Sequence, residues 1–131
     1  MGAENCAGSA DLFAQDLSCG MLREFMKPPV PSGPIITLVY RVAPERRTQL
    51  LEFLRSNFPL YERPGGIRMA LYESVDEPGL LLELVAYADE AAFARDQERV
   101  EKDPEMRRIL TEWKSLLAGP VEFRRMRPLE V

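Results

Sequence analysis

Two short runs, IITLVYRV (residues 35–42) and LLLELVAY (residues 80–87), are apolar at both odd and even positions. A strand that alternates apolar with polar residues packs on one face only. A strand apolar on both faces must be covered on both, which places it inside a sheet and not at its rim. Between the two runs, Leu50, Leu51, Leu54 and Phe58 recur at helical spacing, and Ile67 to Val75 reads as a second strand. Pro44 and Glu45 suit the first turn of that helix, one by its fixed φ and the other by its charge near the positive helix end. Pro59 is expected to end it. RPGG is a turn, and DEPG a tight hairpin connection.

Beyond the third strand, Asp89 is placed to cap a helix reaching about Lys102. Asp103, Pro104 and Glu105 open another, with an apolar stripe of Met106, Ile109, Leu110, Trp113, Leu116 and Leu117 that Gly119-Pro120 stops. VEFRRM supplies a short last strand. The order is therefore that of an α+β, ferredoxin-like βαββαβ domain, the split βαβ arrangement with an antiparallel sheet. Right-handed crossovers put the first and third strands at the sheet centre, where their two apolar faces are needed. The helices cover only one face of such a sheet. The simplest cover for the other is a second copy, giving a homodimer through the sheet face.

A chain of 131 residues suits one core, and 46% hydrophobic with 29% charged residues is a folded composition, far from that of disorder. No apolar run approaches the roughly 20 residues a spanning helix needs, so no membrane partner is expected. A net charge of -4 argues against nucleic acid. Histidine is absent, which removes imidazole bases, Ser-His and Cys-His couples, and most zinc and haem ligation; no metal site is expected. Residues 1–34 read as an N-terminal extension ending in the proline-rich KPPVPSGP, and residues 35–131 as the folded domain. Cys6 and Cys19 both fall in that extension, away from any core. With no basic-then-apolar leader at the start, a cytoplasmic protein is expected.

The runs ITLVYRVAPERRTQLLEFL, PGGIRMALYESVDEPGLLLELVAYADEAAF and DPEMRRILTEWKSLLAG resemble the dimeric α+β barrel proteins of the antibiotic biosynthesis monooxygenase type, over about residues 35–127. The resemblance rests on element order, a glycine turn before the second strand, and an aromatic residue followed by an A-x-F helix after the third. It implies a homodimer with a pocket between sheet and helices in each subunit. Catalytic members oxidise phenolic polycyclic compounds with dioxygen and without a cofactor, and others degrade haem. The histidine that many members carry in the helix after the third strand corresponds to Asp96, and haem degradation is rejected on that ground. The asparagine of the haem-degrading members' first strand is also missing, and Tyr87 stands where tryptophan is common.

Glu83 is the lone charge of its strand. It reads either as a base of raised pKa that takes a phenolic proton, or as a structural carboxylate paired with Arg41 or Arg68, and the available arginines make the pair the expected state. Tyr87 is the other candidate for proton handling. Tyr40, Tyr72 and Trp113 are candidate ligand-binding residues, although packing is the commoner role for each. Asp96, among Arg95, Glu98 and Arg99, is expected on a solvated face, and Arg124, Arg125 and Arg127 on a solvated edge. Two functions stand: a cofactor-independent monooxygenase acting on a small aromatic or polyketide-like compound, and a non-catalytic binding or dimerisation module of the same fold.

Overall fold

The computed structural model describes residues 33–131. All but the last two residues of the expected extension, Cys6 and Cys19 included, lie outside the described residues. Strand β1 (Ile35–Arg41) leads through a single 3-10 turn (Pro44–Arg46) into helix α1 (Arg47–Glu62). Strands β2 (Ile67–Glu73) and β3 (Leu80–Tyr87) form the hairpin, followed by α2 (Glu90–Lys102), α3 (Pro104–Ser115) and β4 (Glu122–Met126). The sheet is antiparallel throughout in the order β2-β3-β1-β4. The two doubly apolar strands are indeed its centre, as expected for the ferredoxin-like arrangement.

Strand alternation sorts the side chains into two faces. The face under the helices carries Ile36, Leu38 and Tyr40 of β1 and Leu81, Glu83, Val85 and Tyr87 of β3, and all four of the β3 residues are buried. The opposite face carries Val39, Leu82 and Leu84, which are half-buried and point away from the described helices. Two apolar clusters form beneath the helices. One gathers Tyr40, Val42, Leu50, Leu54, Leu81, Trp113 and Leu116. The other gathers Ile36, Ile67, Val85, Tyr87 and Ala92.

Helix α1 runs three residues past Pro59, contrary to the expected stop. A proline removes only its own N–H from the ladder, and so late in a helix little is lost. The far end is held independently: the Glu62 carboxylate accepts the Met69 N–H of β2 at 2.8 Å. Gly65 and Gly66 then turn the chain with φ of +87° and +76°, a conformation that L side chains rarely adopt. Gly33 is required for a different reason. A Cβ there would meet Asp89 Cα at 2.7 Å, where the incoming chain passes over the end of β3.

Asp89 caps α2 as anticipated, its carboxylate accepting the Ala92 N–H at 2.8 Å, and Asp103 does the same for Glu105 at 2.9 Å. Helix α3 ends at Ser115, before Gly119-Pro120, with Leu116 and Leu117 in the turn that follows. Every residue of β4 is exposed, and Arg124 pairs with Glu122. No helix among the described residues is long and apolar enough to cross a membrane. Asp89→Ala removes one orphan N–H acceptor and is expected to cost about 1 kcal/mol. The loss reads out as a lower urea midpoint at unchanged slope.

Candidate functional site

Glu83 sits in the middle of β3, opposite Leu38 on β1 and Leu71 on β2. Tyr40 is opposite Leu81, so it is the diagonal neighbour of Glu83 on the same face of the sheet, within reach of a long side chain. The Tyr40 hydroxyl donates to Glu83 Oε1 at 2.7 Å. No arginine does. Arg41 and Arg68 alternate with the inward-facing residues of their strands and project to the opposite face; Arg41 pairs instead with Glu77 at 3.0 Å, and Arg68 is exposed. The expected ion pair is therefore replaced by a phenol–carboxylate bond, because strand alternation separates those arginines from the glutamate.

Glu83 is 4% exposed. Burial pushes its carboxyl above the ordinary carboxylate range, and the Tyr40 bond pulls it partly back. The Tyr40 hydroxyl is itself driven up, first by burial and then by the Glu83 charge. Trp113 supports the pair from α3. Its ring meets that of Tyr40 edge-to-face, centroids 5.1 Å apart at 88°, and its indole N–H has no partner among the described residues.

A second couple lies at the other end of the same face. The Tyr87 hydroxyl donates to Asp96 Oδ2 at 2.5 Å. Asp96 is 7% exposed, which corrects the expected solvated position. Its place on α2 follows from the helical stripe of Ala92, Phe93, Asp96 and Val100, which all turn inward though Arg95, Glu98 and Arg99 flank it. That stripe was the available sequence signal, masked by counting neighbours along the chain instead of around the helix. Burial raises the Tyr87 hydroxyl, and the bond to Asp96 raises it further.

Between the couples is a cavity of about 390 Å³, walled by both apolar clusters and reached by Glu83, Tyr87, Asp96 and Trp113. Tyr40 is not part of the lining; it stands behind Glu83. Tyr72 is not brought to the cavity at all. It is 57% exposed on the other face of the sheet, by the same alternation that displaces Arg68. Tyr61 joins instead, from the last turn of α1. Its hydroxyl is raised by burial and then by the charges of Glu83 and Asp96, so it lies in the field of both. Tyr61 continues the stripe Leu50, Leu54, Phe58 by one step, a signal lost once Pro59 is taken as the helix end.

Chemically, this arrangement offers an apolar chamber for a small molecule, with carboxylates as proton acceptors and the Tyr61 hydroxyl as a hydrogen-bond donor. No family model matches the sequence, and no curated protein matches it. Solved structures do. A variant of SnoaB, a cofactor-independent oxygenase from Streptomyces nogalater, matches with a TM-score of 0.62 at 14% identity, over 76% of this chain and 96% of that one. An antibiotic biosynthesis monooxygenase matches at 0.60 and 12%, over 74% and 99%. A NIPSNAP family protein from Agrobacterium tumefaciens matches at 0.57 and 15%, over 74% and 93%. At such identities the likeness is one of fold.

The raised Glu83 carboxyl carries a sign that can be measured. Its proton is held more tightly in the folded chain than in the unfolded one, so stability falls as pH climbs from the ordinary carboxylate value through the raised one. The deficit persists above it. Glu83→Gln keeps an acceptor for Tyr40 and removes the charge. The melting temperature of the variant minus that of wild type is expected to increase from about pH 4 to about pH 8. A difference independent of pH in paired thermal scans would show that burial does not strain this carboxylate.

Proposed function

On a chain with the α+β fold of the antibiotic biosynthesis monooxygenase-like proteins, we propose a cofactor-independent oxygenase whose substrate is a small aromatic or polyketide-like phenol. The observation that carries this reading is Glu83, buried at the wall of an open cavity and bonded to a phenol in place of a cation. A carboxylate so placed accepts a proton more readily than a solvated one, and its charge is not already spent on an arginine. Removal of a phenolic proton makes the ring electron-rich enough to reduce dioxygen itself. A ring methylene then becomes a carbonyl; one oxygen atom enters the product and the other leaves as water, the substrate supplying all the electrons. The protein contributes the base, the orientation and the exclusion of water. Tyr40 holds the Glu83 carboxylate in place, Tyr87 and Tyr61 offer hydroxyls toward the substrate, and Trp113 forms an apolar wall.

Dioxygen uptake by the purified full chain tests this, using a panel of two- and three-ring phenols such as dithranol, which carries a ring methylene beside its phenols. Uptake above the uncatalysed rate is expected, falling by about 10²–10⁴-fold in Glu83→Gln and unchanged in Tyr72→Phe. Ligand binding without any uptake would assign the cavity to a binding module of the same fold. Equal uptake by wild type and Glu83→Gln would remove Glu83 as the base.

The half-buried Val39, Leu82 and Leu84, on the sheet face away from the described helices, support a homodimer formed by face-to-face sheet packing. Light scattering at micromolar concentration is expected to give twice the chain mass of 14.9 kDa. Leu82→Lys, which places a charge at the centre of that face, is expected to give the monomer. A wild-type monomer would overturn the sheet-packing reading.

A further inference from the structure

The lining of the cavity is lopsided in charge. Glu83 and Asp96 are both buried in it, Tyr61 and Tyr87 add hydroxyls, and no arginine reaches it among the described residues. Its one lysine, Lys114, belongs to an exposed position of α3. Of the two carboxylates, Asp96 is the less satisfied. Tyr87 occupies Oδ2, while Oδ1 is buried without a hydrogen-bond partner. Arg99, one turn further along α2, directs its donors elsewhere: to the carbonyl oxygens of Leu60 and Tyr61 and to the Met106 sulfur. No ion pair joins Asp96 to a cation among the described residues.

These features act together on whatever enters. The Tyr61 hydroxyl sits in the field of Glu83 and Asp96 at once, with the Arg99 charge opposing them more weakly. In an apolar enclosure the attraction of opposite charges is several-fold stronger than in water, and so is the repulsion of like ones. A carboxylate without a cation is stabilised most by gaining one, through a charge-assisted bond roughly twice as strong as a neutral bond. A carboxylate or phosphate guest meets two acidic side chains, with the exposed Lys114 the one cation of the lining. An apolar cavity of about 150 Å³ already holds benzene, so about 390 Å³ accommodates two to three fused rings.

We propose that the cavity selects its ligand by charge, taking an organic ammonium ion on a two-ring apolar skeleton with the nitrogen held toward Asp96, and excluding anions. The inference rests on the reading of this cavity as a small-molecule site, and it needs no turnover. Within the oxygenase reading, the two carboxylates divide the work. Glu83 faces the group that loses a proton, and Asp96 faces the group that keeps its charge.

Titration calorimetry on the full chain with three probes of one skeleton provides the test: 2-naphthylmethylammonium, 2-naphthylmethanol and 2-naphthoate. The ammonium is expected to bind at least about tenfold more tightly than the alcohol, and the naphthoate more weakly than either. Asp96→Asn retains an acceptor for Tyr87 and removes the charge. It is expected to cut the ammonium's advantage over the alcohol to below about threefold. If the alcohol binds wild type as tightly as the ammonium, Arg99 already neutralises Asp96 at a distance; selection by charge is then wrong, while the small-molecule site stands. If none of the three binds, the site itself falls, and this inference with it. The wild-type ranking decides the matter even if the variant does not fold.

Discussion

The hydrogen bond from Tyr40 to Glu83 is the interaction on which the interior depends. It joins two central strands diagonally, beneath the helices, at the one inward position of β3 that is not apolar or aromatic. A buried carboxylate with no partner is costly, and here a phenol provides one while the charge remains. On either side the apolar residues gather into separate clusters, and the space between them is the cavity. A glutamate in the core thus stands where the packing opens.

The choice of a phenol over a guanidinium has chemical consequences. An arginine would have neutralised Glu83 and drawn its pKa down. A tyrosine orients the carboxylate without cancelling its charge, so burial dominates and the proton affinity rises. A second phenol–carboxylate bond forms at Asp96, again with a tyrosine as donor. Two phenol–carboxylate couples facing one chamber, with Tyr61 in the field of both, make an interior that accepts protons and attracts donors. It is built without histidine, and the fold positions it by strand alternation and one helical stripe.

The architecture alone does not specify what that interior is for. The same arrangement of strands and helices is shared with a cofactor-independent oxygenase and with a NIPSNAP family protein. Function on such a scaffold resides in the residues lining the chamber. The two faces of the sheet also separate two roles. The face under the helices carries the carboxylates and the cavity. The other carries Val39, Leu82 and Leu84 with Tyr72 and Arg68, away from the cavity.

Periodicity by itself determined the elements and their order. The doubly apolar β1 and β3 had to be central, the caps at Asp89 and Asp103 were readable from residue type, and Glu83 was conspicuous as a lone charge in an apolar strand. Parity along the strands already contained the statement that Arg41 and Arg68 face away from it, but only with the register of the sheet known. Tyr61 and Asp96 were obscured for local reasons, one behind a proline that α1 tolerates, the other among charged neighbours on the outer side of α2. What only the tertiary structure decided was the partnership of side chains 43 residues apart in sequence and the empty volume beside them. Such contacts depend on strand register and on how closely helices approach the sheet. Both are set by packing of the whole core and not by any local run of residues.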